Sequence, residues 1–229
     1  MRKLVLFDID GTLVLTGGAG IRAMNRALEE ILDHREGLTG IPVAGRTDWS
    51  ILVDAVAKAG REVDDSLLAT LRDRYVANLA EEIEHPGKGQ KAVMPGIREL
   101  LDELEARDDV FVGLLTGNFE EGAKIKLGHF DLWRYFACGA FGGDAADRNL
   151  LVPFAVARAR ECGLPSIAPS DVLVVGDTPH DVACAHAAGA VPVAVATGGY
   201  TVDQLRESGA EIVFKDLSDS RAFVKLLEI

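Results

Sequence analysis

Cysteine, long apolar runs and basic residues are all scarce in this sequence of 229 residues. The three cysteines form no CxxC pair and have no zinc-finger spacing, which excludes a disulfide framework and a cysteine zinc site. We expect Cys138, Cys162 and Cys184 to be small buried side chains in a reducing compartment. No apolar run reaches the roughly 18 residues of a membrane-spanning helix, so no membrane partner is predicted.

The deficit of basic residues bears on possible partners. The chain has 24 Lys and Arg against 36 Asp and Glu, a net charge of −12. Nucleic-acid binding draws most of its affinity from a basic surface, so no nucleic-acid partner is predicted. No apolar leader follows Met1, which favours the cytoplasm, and the sequence leaves the oligomeric state open.

Short apolar runs alternate with segments of helical periodicity, which is typical of an α/β fold with a parallel sheet. The predicted strands are Lys3–Phe7, Val110–Leu115, Val172–Val175, Val191–Val195 and Ile212–Phe214. The predicted helices between and after them are Ile97–Glu105, Glu120–Leu127, Leu151–Cys162, Val182–Ala188, Val202–Glu207 and Arg221–Leu227.

Residues 19–84 interrupt this alternation because they show helical patterns alone. The three patterns cover Ile21–Leu32, Trp49–Ala59 and Ser66–Ile83. Glycine and proline mark both exits, which predicts two flexible linkers side by side, able to act as a hinge. The predicted division is a core of residues 1–16 and 91–229 and a helical domain of residues 17–90, with approximate boundaries.

Polar motifs follow the three strongest strands. They are Asp8-Ile9-Asp10-Gly11-Thr12, Thr116-Gly117-Asn118 and Gly176-Asp177-Thr178-Pro179-His180-Asp181. Ligands of parallel sheets bind beyond the carboxyl ends of the strands, so all three motifs are expected at one edge. If their strands are neighbours, Asp8, Asp10 and Asp177 lie close together.

Three carboxylates in one pocket need a cation, and Mg²⁺ is the usual partner of carboxylates that act on a phosphate. Asp8 would attack phosphorus, and Asp10 would protonate the leaving oxygen and later activate water. The Thr116 hydroxyl and nearby backbone N–H groups, those of Gly117 and Asn118, can hold phosphoryl oxygens.

These motifs resemble motifs one, two and four of the haloacid dehalogenase-like hydrolase superfamily. The resemblance covers the whole chain, and within the superfamily it is strongest to the phosphoglycolate phosphatases. The resemblance implies an α/β fold, a Rossmann-like parallel sheet core with an inserted α-helical cap domain. It also implies that Asp8 is the nucleophile and Asp10 the general acid and base. The implied Mg²⁺ ligands are the Asp8 carboxylate, the Asp10 main-chain carbonyl and Asp177. Thr116 would bind phosphate, and Asp181 would support the metal or a neighbouring cation.

The sequence departs from the superfamily at the third motif, where a lysine is usual. No lysine lies between Lys126 and Lys215, and Arg148 is the cation best placed to replace it. The alternative interpretation is that Arg148 lies at the surface and forms an ion pair with Asp144 or Asp147.

One loop of the helical insert also offers a candidate substrate contact. Arg46 could reach the far end of the substrate, although a solvated arginine is equally common there. Asp48 is expected to cap the helix that follows it.

The predicted function is therefore a Mg²⁺-dependent phosphatase that hydrolyses a small phosphorylated metabolite through a phospho-Asp8 intermediate. Phosphoglycolate is the first candidate substrate by resemblance only. One alternative is a sugar-phosphate mutase of the same superfamily. Another is a catalytically idle binding or regulatory protein, which only the missing third-motif lysine supports. Asp10 disfavours dehalogenation, because a departing halide needs no acid.

Overall fold

The computed structural model describes residues 2–228, in which the central sheet has six parallel strands and a small separate ribbon has two. The strands are β1 (Lys3–Phe7), β2 (Val14–Thr16), β3 (Lys91–Val93), β4 (Val110–Leu115), β5 (Gly139–Ala140), β6 (Val172–Gly176), β7 (Val191–Val195) and β8 (Ile212–Phe214). The order in the sheet is β5-β4-β1-β6-β7-β8, and every neighbouring pair is parallel. This confirms the predicted fold class.

The α-helices start and end within three residues of the predicted bounds. They are α1 (Ala19–Leu32), α2 (Asp48–Lys58), α3 (Asp65–Glu82), α4 (Ile97–Glu105), α5 (Glu120–His129), α6 (Leu151–Glu161), α7 (Pro179–Ala187), α8 (Val202–Glu207) and α9 (Ser220–Leu226). Strands and helices therefore alternate as the apolar periodicity predicts.

The central strand β1 is buried on both sides, because its side chains alternate between two apolar layers. Val5 and Phe7 pack with apolar side chains of α4, α5 and α9. Leu4 and Leu6 pack on the other face, with those of α6 and α7. Such burial explains why nearly all residues of this strand are apolar.

Helices α1 to α3 have an apolar cluster of their own. Phe119, the residue before α5, joins its buried members from outside the insert, and the half-buried Ile125 of α5 packs against it. The Phe119 ring centroid lies 6.3 Å from those of both Trp49 and Tyr75. The helical insert is thus packed against the loop that follows β4.

The exits of the insert contain a pair of short strands that was not predicted. Strands β2 and β3, which the sequence did not reveal, pair antiparallel, and the Gly17 N–H extends the pairing by donating to the Gln90 carbonyl over 2.9 Å. The linkers run side by side, since a Cβ on Gly87 would lie 1.7 Å from the Gly17 oxygen. Three-residue strands carry too little sequence pattern to be recognised.

The cysteine prediction is wrong in part. All three thiols are free, but only Cys184 is buried, while Cys138 is half-buried and Cys162 is exposed. Cys162 directly follows α6, where the helix end leaves the core. Between residues 2 and 228, no helix combines the length and apolarity that a membrane crossing requires.

Candidate active site

The three polar motifs meet at one edge of the sheet because their strands are neighbours. Phe7, the last residue of β1, is in register with Leu114 of β4 and Val175 of β6. The residues that follow these strands therefore emerge together at their carboxyl ends, as expected.

A tight turn carries the chain from Asp8 to β2. The Leu13 N–H donates to the Ile9 carbonyl over 2.9 Å, and Gly11 has a φ of 86°. A Cβ at Gly11 would also lie 2.5 Å from Asp177 Oδ2. Glycine is required here both for its backbone conformation and for the close approach of Asp177.

Asp8 is buried at the end of β1, and Arg148 is buried beside it. Arg148 Nη2 lies 3.0 Å from Asp8 Oδ1. Burial raises the pKa of Asp8 to about 6, against the opposing effect of the Arg148 charge. Burial by itself would lower the pKa of Arg148, but the charges of Asp181 and Asp8 raise it instead.

The structure places Arg148 at the site, on the short 3₁₀ turn Arg148–Leu150 before α6. The alternative of a surface ion pair is wrong, since Asp144 pairs with Arg158 instead. The idle-protein alternative thereby loses its support, because a cation does contact Asp8.

Asp181 holds Arg148 in this position. Its Oδ1 lies 2.5 Å from Arg148 Nη2, and its Oδ2 accepts hydrogen bonds from the backbone N–H and hydroxyl of Thr178, over 3.0 and 2.7 Å. The carboxylate thus anchors the arginine and the start of α7 together. Both oxygens already have partners in the protein.

Asp177 is the least compensated carboxylate of the group. It accepts a hydrogen bond from the Thr12 hydroxyl over 3.1 Å, and among its described neighbours no cation contacts it. Burial, followed by the charges of Asp181 and Asp8, raises its pKa to about 8. Ligand oxygens of Asp8, Asp177 and Asp181 lie within 4.8 Å of one another. Arg148 is the one cation in contact with these three carboxylates, so the group keeps an excess of negative charge, which suits a hard divalent cation.

The expected grouping of Asp10 with Asp8 and Asp177 is not found, because the Asp10 carboxylate lies outside this group and 45% of its side chain is exposed. Its Oδ2 accepts a hydrogen bond from Asn118 Nδ2 over 2.9 Å. Asn118 Nδ2 also donates to the buried Thr116 hydroxyl oxygen over 2.8 Å. The second motif therefore positions the Asp10 carboxylate, besides lying where a phosphate is expected.

Lys126 also contacts the Asp10 carboxylate, and the sequence analysis did not identify it as a candidate site residue. The buried ammonium group donates to Asp10 Oδ2 and to Asn118 Oδ1, each over 2.6 Å. Lys126 occupies the inward face of α5, with Gly122 and Ala123 one turn before it. The position of Lys126 one turn after Gly122 and Ala123 and next to Leu127 is the sequence signal that could have identified it, since a lysine on the same face as small and apolar residues needs a partner when it is buried.

The insert contacts the site through the loop before α2. Thr47, and not Asp48, caps this helix, because its hydroxyl accepts the Ser50 N–H. The Asp48 N–H donates to the Gly117 carbonyl over 2.7 Å, and Asp48 Oδ2 accepts the Phe119 N–H over 2.9 Å. Burial raises the pKa of Asp48 to about 6. The predicted capping role of Asp48 is wrong, because its side chain bonds to the core.

The structure does not bring the Arg46 guanidinium to Asp8. Arg46 Nη1 lies 2.7 Å from Asp54 Oδ2, and its other partners are the carbonyls of Pro42 and Ser50, all within the insert. A contact between Arg46 and a substrate stays a prediction, and it requires the pair with Asp54 to open.

A cavity of about 500 Å³ lies between the site and the insert. Asp8, Asp10, Asp177 and Arg148 line it from the core, and residues of α1, α2 and α3 line it from the insert. Its volume is in the range of sites for small organic ligands. A substrate bound there would meet the carboxylates at one end and the insert at the other.

Comparison with known proteins shows which family the chain belongs to. The family model described as haloacid dehalogenase-like hydrolase matches residues 2–189. The phosphoglycolate phosphatase of Rhodospirillum rubrum is 32% identical, covering 95% of this chain and 89% of its own. The phosphoglycolate phosphatase of Pseudomonas syringae pv. tomato is 30% identical over 94% of this chain and 77% of its own. Among solved structures, a hydrolase from Pseudomonas syringae has the same fold, with a TM-score of 0.69, 23% identity and 99% coverage of both chains. The chain therefore belongs to the haloacid dehalogenase-like hydrolase family, as one of its phosphatases.

Proposed function

We propose that this phosphatase hydrolyses a small phosphate monoester through a phospho-Asp8 intermediate, with Mg²⁺ as its cofactor. The observation that carries the proposal is the buried Asp8 carboxylate, held by Arg148 beside Asp177 at the floor of the cavity. The names of the similar phosphatases support a phosphoglycolate-like monoester as the first substrate to test.

Asp8 has the properties of a nucleophile. With a pKa of about 6, its carboxylate is mostly ionised at neutral pH, and Arg148 fixes one of its oxygens. Attack by a carboxylate oxygen on phosphorus forms the acyl phosphate and breaks the bond to the leaving oxygen. Arg148 can neutralise charge on the nucleophile and on the phosphoryl group together.

Asp10 has the position of a general acid and base. Within residues 2–228 its Oδ2 has two donors, whereas its other oxygen has none and its side chain is half exposed toward the cavity. The same group can protonate the leaving oxygen and then remove a proton from the water that attacks the acyl phosphate. Water hydrolyses the intermediate and releases inorganic phosphate from Asp8.

Asp8 and Asp177 fit a Mg²⁺ ion together with the main-chain carbonyl of Asp10. Their raised pKa values follow from burial near like charges, which a divalent cation relieves. Asp181 is assigned to support instead, because both its oxygens have protein donors. When bound, Mg²⁺ neutralises these carboxylates and orients the phosphoryl oxygens. Thr116, Gly117 and Asn118 are assigned to the phosphate, next to Arg148.

Residues 17–90 are assigned as the cap domain and residues 1–16 and 91–229 as the core. The hydrogen bonds of Asp48 to the loop after β4 support a closed arrangement in which the cap covers Asp8. Closure excludes water during phosphoryl transfer, and opening about the linkers at residues 17–18 and 85–90 releases the product.

The decisive experiment measures phosphate release from an aryl phosphate, with Mg²⁺ and with EDTA. Wild-type protein is expected to turn over with Mg²⁺ alone, and Asp8→Asn is expected to have no measurable activity while keeping its fold by circular dichroism. Asp73→Asn makes the same chemical change at an exposed residue of α3, so it is the matched control and should retain wild-type rates. Equal activity of wild type and Asp8→Asn would refute the proposal.

A further inference from the structure

The wall that the insert contributes to the cavity is apolar. Its large side chains are Ile21, Met24, Leu38, Val43 and Ile51. Met24, Leu38 and Ile51 are buried members of the cluster formed by α1, α2 and α3, so they present a fixed surface rather than mobile chains.

Each positive side chain that lines the cavity already has an anionic partner. Arg148 lies 3.0 Å from Asp8. Lys126 lies 2.6 Å from Asp10. Both pairs are at the reacting end of the cavity, and the third cation, Arg46, lies 2.7 Å from an aspartate of its own insert. A second anionic group on the substrate would therefore find no uncommitted cation along this wall.

The cavity also has more negative than positive side chains. Four carboxylates line it, against three cations. They are those of Asp8, Asp10, Asp48 and Asp177. The backbone N–H groups near Gly18 and Gly20, at the start of α1, favour an anion over a neutral oxygen by only about twofold to fivefold. This preference is smaller than the cost of removing a carboxylate from water without a cation to pair with it.

Ile21 marks the open side of this wall. Of the four large apolar side chains that are exposed within residues 2–228, only Ile21 lines the cavity, and it is 49% exposed. A single exposed apolar side chain is ordinary on a surface. Here it lines the same cavity as Met24 and Ile51, so an apolar group bound in the cavity can cover it.

We propose, on the basis of the phosphatase function above, that the natural substrate is a phosphate monoester whose organic group is uncharged and partly apolar. The phosphate meets Asp8 and Arg148, and the organic group lies against Ile21, Met24 and Ile51. Phosphoglycolate, with its carboxylate at this end, is then a poor substrate.

The test compares kcat/KM for phosphoglycolate, hydroxyethyl phosphate, and ethyl, propyl and butyl phosphate, all with Mg²⁺. Each added methylene is expected to raise kcat/KM about twofold to fourfold, from the apolar area that it buries. Hydroxyethyl phosphate should exceed phosphoglycolate by about tenfold or more, because the carboxylate loses its water without gaining a partner. Phosphoglycolate as the better substrate of the two would overturn the inference.

A charge substitution tests the assigned wall. Ile21→Lys places a cation beside the organic group and is expected to raise the ratio of kcat/KM for phosphoglycolate to that for butyl phosphate by about tenfold or more. Val63→Lys, at an apolar position 40% exposed and outside the cavity, is the control and should leave the ratio unchanged. The ratio does not depend on the fraction of folded protein. An unchanged ratio in Ile21→Lys would overturn the assignment of the wall.

The two proposals fail differently. If no monoester is hydrolysed in an Asp8-dependent manner, the proposed function fails, and this inference with it. If hydrolysis depends on Asp8 but prefers phosphoglycolate, the function stands and only the inference about the organic group is overturned.

Discussion

At the scale of single residues, the carboxylates of the site differ in their surroundings rather than in their chemistry. Asp8 and Asp177 are buried with raised pKa values, whereas Asp10 is half exposed and held by two donors on one oxygen. These environments support the proposed roles, in which Asp8 attacks phosphorus, Asp177 binds the metal and Asp10 transfers protons.

The proposed role of Asp10 in proton transfer predicts the effect of Asp10→Asn. The amide keeps the size of the side chain but cannot exchange a proton, so kcat should fall by about 10²–10⁴. Steady-state kinetics on an alkyl phosphate, whose leaving oxygen needs a proton, is the measurement. A rate close to wild type would remove Asp10 from the mechanism.

The contact of Lys126 with the Asp10 carboxylate predicts that Lys126 positions this group. Lys126→Met removes the donor to Asp10 Oδ2 and to Asn118, so the Asp10 carboxylate loses its fixed orientation. A misplacement of about 1 Å can lower a rate by about 10², so we expect kcat to fall by one to two powers of ten with little change in KM.

The control for this variant lies on the same helix. Lys124→Met removes an exposed lysine of α5 that does not line the cavity and should leave kcat unchanged. If Lys126→Met raised KM and left kcat unchanged, Lys126 would bind substrate instead of positioning Asp10.

At the scale of elements, the loop before α2 packs closely against the loop after β4 at Gly117. A Cβ on Gly117 would lie 2.0 Å from the carbonyl oxygen of Arg46, which is backbone and cannot move alone. The hydrogen bond from Asp48 to the Gly117 carbonyl depends on the same approach. Closure of the insert over the site therefore requires the absence of a side chain at this position.

Gly117→Ala should consequently separate the insert from the core. We expect kcat/KM to fall by about tenfold or more, because the closed arrangement that excludes water is lost. Gly128→Ala, in α5, has open space around its Cβ position and should retain wild-type kinetics and stability within about 1 kcal/mol. Kinetics together with thermal unfolding would check both variants, and wild-type kcat/KM in Gly117→Ala would show that this contact is dispensable.

At the scale of the whole molecule, the buried carboxylates make stability depend on pH. The pKa of Asp177 is about 8 in the folded protein, above its ordinary value of 3.8. The folded state then binds more protons than the unfolded state between these values, so the free energy of unfolding falls as the pH rises from about 4 to 8. Mg²⁺ binds only the ionised site and should restore stability at the alkaline end.

Asp177→Asn isolates this effect. In EDTA the wild-type free energy of unfolding should decrease between pH 5 and pH 8, and this decrease should be smaller in Asp177→Asn by more than about 1 kcal/mol. Urea unfolding at the two pH values, with and without Mg²⁺, is the measurement. Parallel behaviour of the two proteins would show that Asp177 does not titrate in this range.

The sequence by itself determined the helices and five of the six parallel strands, and it supplied the candidate reacting groups. Strands such as β1 are buried on both faces and read as apolar runs, and the motifs at their ends could be assigned to one edge because parallel strands end together. Asp8 and Asp177 lie together at the edge where this local reasoning puts them, and Arg148 lies beside Asp8, whereas the Asp10 carboxylate lies outside the group. These features depend on periodicity and strand polarity, which are local properties of the chain.

Only the tertiary structure decided which distant side chains meet. Lys126 lies 116 positions from Asp10 in the sequence, and the contact of Asp48 with Phe119 spans 71. Both contacts arise from the packing of α5 and of the insert against the sheet edge, which no local pattern encodes. The apolar wall around Ile21 has the same origin, because its side chains come from separate segments of the insert that packing brings together.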